Sequence, residues 1–222
     1  MKHLMHSLFL VLTLTFSSGC SLFGIRREET PNYRVILKKD KIEIRHYQPY
    51  IVAETEVMES DYHQAQQKAF RRLAGFIFGK NKRNETLQMT APVIQSNVSK
   101  EKSQRLEMTA PVTQKKTSSG WSMRFLMPSK YELIDLPQPL DTRIHFKKVP
   151  EKRVAAIRFT WRTDQDRNEQ KFQELKHWIE NETEHKITST YQYAGYDPPW
   201  TIPFLRRQEI LVEVQKGQLQ TQ

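Results

Sequence analysis

A chain of 222 residues has room for one large domain or two small ones, and 11 Phe, 8 Tyr and 4 Trp can fill a core although only 37% of residues are hydrophobic. The net charge of +10 would suit an anionic membrane, an acidic ligand or nucleic acid, or serve solubility alone; no recognition helix, zinc spacing or RNP-like aromatic run accompanies it, which sets nucleic acid aside. The single cysteine, Cys20, rules out an intrachain disulfide, a thiolate zinc site and a C-x-x-C-H attachment motif.

The N-terminus carries Lys2 and then an apolar run, Leu8–Phe16. The run is too short to span a bilayer and has the length of a signal-peptide core. "SSGC" follows at Ser17–Cys20. Small residues before a cysteine resemble the lipobox of bacterial lipoproteins, whose cysteine is acylated and becomes the mature N-terminus. The lipobox usually has Leu three residues before the cysteine; here it is Ser17. The alternative is an ordinary cleaved signal that leaves a free thiol. Ser21 is not the Asp of inner-membrane retention, so an outer-membrane anchor facing the periplasm is expected. The expected organisation is a signal peptide over 1–19, a lipidated cysteine and tether over 20–32, a folded domain over 33–214 and a loose tail over 215–222.

From Tyr33 the pattern has period two. Val35 and Leu37 alternate with polar neighbours; Ile42, Ile44 and His46 share one face; Ile51, Ala53, Thr55 and Val57 form a third set. Broken at Lys39-Asp40 and Gln48-Pro49, this predicts a three-strand antiparallel meander. A helix follows, with Ser60 or Asp61 as N-cap, a stripe of Ala65, Ala69, Leu73 and Ile77 flanked by Tyr62, Phe70 and Phe76, and Gly79 at its end. Then one phrase occurs twice, "LQMTAPVIQ" at Leu87–Gln95 and "LEMTAPVTQ" at Leu106–Gln114. As strands they would turn Leu87, Met89, Ala91 and Val93, and again Leu106, Met108, Ala110 and Val112, toward one core. Pro92 and Pro111 then belong at an edge, bulge or bend. The sameness is read as a repeated packing role and not as two ligand sites.

"WSMRFLMPSKY" predicts a further strand ending at Pro128. Arg143–Trp161 resembles the opening stretch, with Lys147-Lys148 standing for Lys38-Lys39. Ala155, Ile157 and Phe159 lie 102 positions after Ala53, Thr55 and Val57. A second helix carries Phe172, Leu175, Trp178 and Ile179, 102 positions after Phe70, Leu73, Phe76 and Ile77. Two copies of a β-β-α-β-β unit in one pseudo-symmetric α+β domain account for this. "STYQYAGY" and "RQEILVEV" supply the last strands, joined by "DPPWTIPFLR".

No G-x-S-x-G, H-E-x-x-H or Gly-rich phosphate loop is present, and no thiol remains beyond Cys20, so an enzyme is not expected. His145, His177 and His185 lack an acidic partner at a telling spacing; His177 and Glu174 read as a solvated pair. His46 fits three roles: a core histidine, a strand-end histidine, or a ligand, since imidazole is a usual axial ligand of haem iron. Met89, Met108, Met123 and Met127 fill a core by default but also suit a flat apolar ligand. Arg71, Arg72, Lys80, Lys82, Arg206 and Arg207 could pair with ligand carboxylates or be solvated charges.

"EIRHYQPYIVAE", "MTAPV" and "YAGYDPPW" followed by "RRQE" together resemble the SOUL/haem-binding protein family, over about Thr30 to Val214. The doubled M-T-A-P-V, "GWSMRFLMPSKY" and "LPQPLDTRIHFKKVPEKRVAAIRF" are similar to its bacterial and plant-type members. The resemblance implies a distorted antiparallel β-barrel of two pseudo-symmetric halves with a helix on each. It also implies non-covalent binding of haem or a related tetrapyrrole, without turnover. His46 stands where the animal SOUL branch has a histidine proposed as axial iron ligand. The other animal branch implies a shallow apolar groove beside the first helix, whose wall here would be Phe70, Leu73, Ala74 and Ile77. Its basic positions match Gln67 and Thr201 or Trp200, so the propionate contacts do not carry over cleanly; Arg71, Arg72 or Arg206 could substitute. The expected partners are a porphyrin and, through Cys20, a membrane. A protein-interaction or general amphiphile-binding module using the same groove is the alternative.

Overall fold

The computed structural model describes residues 29–88, 90–98, 120–197 and 200–217. Among these lie ten strands: β1 (Tyr33–Lys39), β2 (Ile42–Tyr47), β3 (Tyr50–Val57), β4 (Val93–Val98), β5 (Gly120–Leu126), β6 (Ile144–Val149), β7 (Lys152–Phe159), β8 (His185–Ile187), β9 (Gln192–Gly195) and β10 (Gln208–Lys216). Two helices, α1 (Tyr62–Ile77) and α2 (Gln165–Glu182), pack on them. Nine strands form one curled antiparallel half-barrel in the order β1-β2-β7-β10-β9-β4-β5-β3-β6, and β8 pairs with the end of β10. The expected α+β class with pseudo-symmetric halves is the one observed. The run β2-β7-β10-β9 mirrors β6-β3-β5-β4 about the β9–β4 contact, and β3 and β7 begin and end 102 positions apart, as do β2 and β6.

The opening three strands form, but not as a meander. β1 pairs with β2, β2 with β7, and β3 with β5 and β6. The ladders explain why. From Ile42↔Ile157 to Thr55↔Ile144, β2–β3 and β6–β7 run alongside each other in a single unbroken register, as one bent ribbon. The corners at Pro49 and Pro150 carry each strand into the other half of the sheet instead of turning it back. It follows that Lys147-Lys148 occupy the places of Arg45-His46, not those of Lys38-Lys39.

Each helix covers one half. In α1, Asp61 accepts a hydrogen bond from the Gln64 N–H at 2.7 Å, satisfying one free donor of the first turn. Gly79 ends the helix at φ 105°, a conformation that costs glycine little. Ala65, Ala69, Leu73, Phe76 and Ile77 bury against Ala53, Val57, Trp121, Met123 and Phe125. In α2, Asp164 caps the Arg167 N–H, and Leu175, Trp178 and Ile179 bury against Ile44, Ala155, Ile157, Ile210 and Val212. Successive strand residues point to opposite faces, so Val154 and Ala156 of β7, with Leu211, Ala194, Tyr47 and Tyr196, build a third core on the helix-free face. Met123 and Met127 are core residues.

The first copy of the repeated phrase is not a strand throughout. β4 begins only at Val93. Leu87 joins the core under α1 and Val93 packs against it, but Ala91 belongs to the third core. The Thr90 hydroxyl donates to the Leu126 carbonyl, and the Ala91 N–H to the Glu29 carbonyl at 3.0 Å, so the chain crosses the end of the sheet before it enters the ladder. Met89 and the whole second copy lie outside the described residues.

Candidate functional site

The residues singled out by sequence fall at two separate places. The first is the end of β2, where His46 is flanked by Arg34 of β1 and Arg153 of β7. Its side chain is 17% exposed, with Nε2 3.4 Å from the Glu151 carboxylate. Its Nδ1 is buried and meets no hydrogen-bonding partner among the described residues. The ring stands on the rim of a cleft of about 850 Å³. The cleft walls are polar: Glu54 accepts from the Ser122 hydroxyl at 2.8 Å and from Arg124 at 2.7 Å, and Lys152 meets Glu213 at 2.6 Å. Burial pushes the Glu54 carboxyl up, but Arg124 and Ser122 outweigh it and hold the group below its ordinary range.

The second place is the outer side of α1. Phe70 is 39% exposed and meets Phe125 edge-on, ring centres 5.5 Å apart. Ala74 is half-buried and Arg71 exposed. Leu73 and Ile77 are enclosed in the core, so they support this surface from beneath and present nothing to a ligand. Phe125 pairs with Val93, and Val93 with Gly195. The register therefore sets the end of β9, which leads into the segment described at 196–197 and 200–207, two strands from Phe125 and its partner Phe70 of α1. That segment exposes Trp200 and Phe204, and Phe204 lies 6.2 Å from the ring of exposed Trp161. Arg206 donates from Nε to the carbonyl of the buried Thr201 at 2.8 Å.

The two places are far apart. The strip at Gly195 reaches β7 at Phe159 through Gln208, whereas His46 pairs with Arg153. Six residues along a strand is about 20 Å, and the three strand spacings from β9 to β2 add about 14 Å across. One planar ligand cannot touch both. Several other candidates are committed elsewhere. Arg72 donates to the Thr55 hydroxyl at 2.6 Å and the Glu56 carbonyl at 3.0 Å. Arg207 turns inward to Glu209, with its guanidinium 4.1 Å over the Tyr196 ring. His177 meets the Asn181 amide, and Glu174 meets Lys171.

Sequence reasoning missed the most buried charge. Glu209 of β10 is fully enclosed. It accepts two bonds from Arg45 (2.7 and 3.0 Å), two from Arg207 (3.0 and 2.7 Å) and one from the Tyr196 hydroxyl (2.7 Å). Burial raises its carboxyl, but these donors prevail and the group is held below its ordinary range. Burial raises Tyr196 well above the phenol range and pushes Tyr47 up to about 12. The signal was faint: Glu209 is the second residue of β10, just before the apolar run Ile210–Val212, and Arg45 stands between Ile44 and His46 in β2.

Together these features define a class of protein: a half-barrel α+β domain with a polar cleft at one end and exposed aromatic side chains on its first helix and after β9. A family model described as SOUL heme-binding protein matches residues 28–213, and the chain belongs to that family. Human Heme-binding protein 2 is 25% identical over 176 residues, covering 79% of this chain and 78% of that protein. The EcmrR C-terminal domain superposes with a TM-score of 0.54 at 16% identity, covering 83% of this chain and 98% of that one. A Listeria innocua protein described as a hydrolase has the same fold, with a TM-score of 0.50 at 10% identity over 81% of this chain and 94% of that one. Among the described residues no helix is long and apolar enough to cross a membrane, and no three His, Cys, Asp or Glu side chains cluster as metal ligands.

Proposed function

We propose that the protein binds haem or a related tetrapyrrole non-covalently, in the groove between α1 and the Tyr196–Arg207 segment, without catalytic turnover. The observation that carries this reading is the family match over 28–213. The groove residues fit the ligand. Phe70, Trp200 and Phe204 offer exposed aromatic surface to a flat ring, whose burial contributes about 25 cal/mol per Å². Arg71 is the exposed cation of α1 for a carboxylate, and Arg206 is already held by the Thr201 carbonyl. The groove is open, so affinity is modest, as suits buffering or trafficking. Cys20, outside the described residues, would hold the protein by acyl chains to the periplasmic face of the outer membrane.

A second reading puts the iron on His46, favoured by its one long polar side-chain contact among the described residues, to Glu151 at 3.4 Å. Haemin titration followed by absorbance separates the two. Every described element lies between Tyr33 and Lys216, so protein from Ser21 onward keeps the whole sheet. We expect a saturable one-to-one Soret shift, retained in His46→Ala and weakened at least tenfold in Phe70→Glu. Loss in His46→Ala with retention in Phe70→Glu moves the iron to the cleft. No saturable shift in the wild type sinks both and leaves a protein-interaction or general amphiphile-binding module. Mass spectrometry of the protein extracted from the envelope tests acylation of Cys20.

A further inference from the structure

Among the described strands, β1 closes one end of the sheet and pairs only with β2. Edge strands are normally short, charged or covered, because their free backbone groups and apolar side chains invite association. β1 is seven residues long, and every residue from Arg34 to Lys39 is exposed. Three of them are consecutive and apolar: Val35 (46% exposed), Ile36 (44%) and Leu37 (40%). Consecutive strand residues point to opposite faces, so neither face of β1 is covered by the described residues. The ladder slips between Val35 and Leu37, which leaves Ile36 without a register partner in β2.

The surroundings are basic. Arg34, Lys38, Lys39 and Lys41 flank the apolar triplet, with Asp40 in the turn. Lys38 leans on Glu43 at 3.1 Å and Lys39 on Glu182, both lysines well exposed; such pairs are weak and readily exchanged. Arg34 and Lys41 have no acidic partner among the described residues. A second copy is a poor occupant. Antiparallel edge pairing centred on Ile36 sets Arg34 of each copy opposite Lys38 of the other, and like charges directly opposed are unfavourable. An anionic bilayer satisfies both features, taking apolar side chains at the acyl boundary and cations at its phosphates.

We propose that the β1 edge, through Val35, Ile36 and Leu37 with Arg34, Lys38, Lys39 and Lys41, docks on an anionic phospholipid surface. Its nearness to a membrane rests on the reading of Cys20 as a lipid anchor. The thirteen residues from Cys20 to Tyr33 span at most about 45 Å, and β1 is about 23 Å long, so the whole strand lies within reach. Docking would lay the sheet edge on the bilayer and fix how the groove beside α1 faces the periplasm.

The test uses protein from Ser21 onward, which has no cysteine, so its outcome does not depend on acylation. Ile36→Cys then supplies a single thiol for an environment-sensitive fluorophore. Vesicles of 30% phosphatidylglycerol in phosphatidylcholine should give a blue shift and co-sedimentation at low salt; pure phosphatidylcholine should give neither. Ile36→Asp, and separately Arg34→Glu with Lys41→Glu, should lower binding at least tenfold. Ile134→Asp, which removes a more exposed apolar residue elsewhere, should not, and Ile36→Asp should leave the haemin titration unchanged. Absence of binding, equal binding to both vesicle types, or an Ile36→Asp variant that binds as well as wild type overturns the proposal. A concentration-dependent dimer broken by Ile36→Asp, with vesicle binding unaffected, would assign the edge to a second copy instead. Mass spectrometry showing no acyl group on Cys20 removes the anchor without touching the vesicle result.

Discussion

The two halves of the sheet share one frame and finish their helix-free faces differently. The 102-residue offset that relates β3 to β7 relates Glu56 to Arg158, and so, through the ladders, Ser122 to Glu209; it also relates Lys147 to Arg45. In the half under α2, Glu209 locks Arg45 and Arg207 beneath Tyr47 and Tyr196. In the half under α1, the same places hold Ser122 and Lys147 and open into the polar cleft. Under the helices the halves agree, with Leu73 facing Leu175's role, Phe76 that of Trp178 and Ile77 that of Ile179. Folding depends on the matched apolar faces, which leaves the opposite faces free to diverge: one is closed by ions and the other remains an open polar cleft.

Substitutions at equivalent places test this directly. Glu209→Ala strands the buried Arg45 and removes the main partner of the half-buried Arg207, and should cost about 3–5 kcal/mol in urea unfolding at pH 7. Ser122→Ala, at the matching site, should cost less than about 1 kcal/mol. Similar losses would break the comparison. Leu73→Ala and Leu175→Ala remove fully buried side chains at equivalent places and should each cost about 2–5 kcal/mol, the same within about 1 kcal/mol. A large inequality would show that one helix carries the fold.

The same division should appear in acid. Glu209 is held below the ordinary carboxyl value of 4.5, because its arginine and tyrosine donors outweigh the burial that raises it. A carboxylate depressed on folding contributes stability that is fully present above its unfolded pKa and is lost as pH falls through the folded one. Urea midpoints measured from pH 5 to pH 3 should therefore fall, and Glu209→Gln should flatten the fall. An unchanged slope would assign acid sensitivity to other carboxylates, such as Asp141, which Arg143 holds at about 2.

Much of this was legible in the sequence, for identifiable reasons. Period-two alternation marked the strands, and the four-residue stripe ending at Gly79 marked α1, because one buried face imposes those spacings. The meander was misread because alternation specifies which face is buried and not which strand lies alongside; Pro49 and Pro150 redirect the ribbon, and only the ladder shows where it goes. Both His46 and Phe70 carry the family resemblance, but sequence gives their faces and not the distance between them, so it cannot show that they belong to separate places. Glu209 escaped notice because its partner Arg45 is 164 residues away, a pairing that no local spacing encodes.

The smallest predicted effect is the sharpest check on the open half. Glu54 is the nearest counterpart of the Glu209 lock, a strand carboxylate held by an arginine on the helix-free face. Its side chain, at 16% exposed, lies in the cleft wall, and Arg124 beside it is 19% exposed. Water reaches both, so each keeps much of its hydration when the other loses its charge. Glu54→Gln retains an acceptor for the Ser122 hydroxyl and leaves Arg124 solvated, and should cost no more than about 1 kcal/mol. The loss should shrink further in high salt, since partly exposed pairs are screened and buried ones are not. A cost approaching that of Glu209→Ala, insensitive to salt, would mean that the cleft is dry and closed in solution, and the division of labour between the two halves would fail with it.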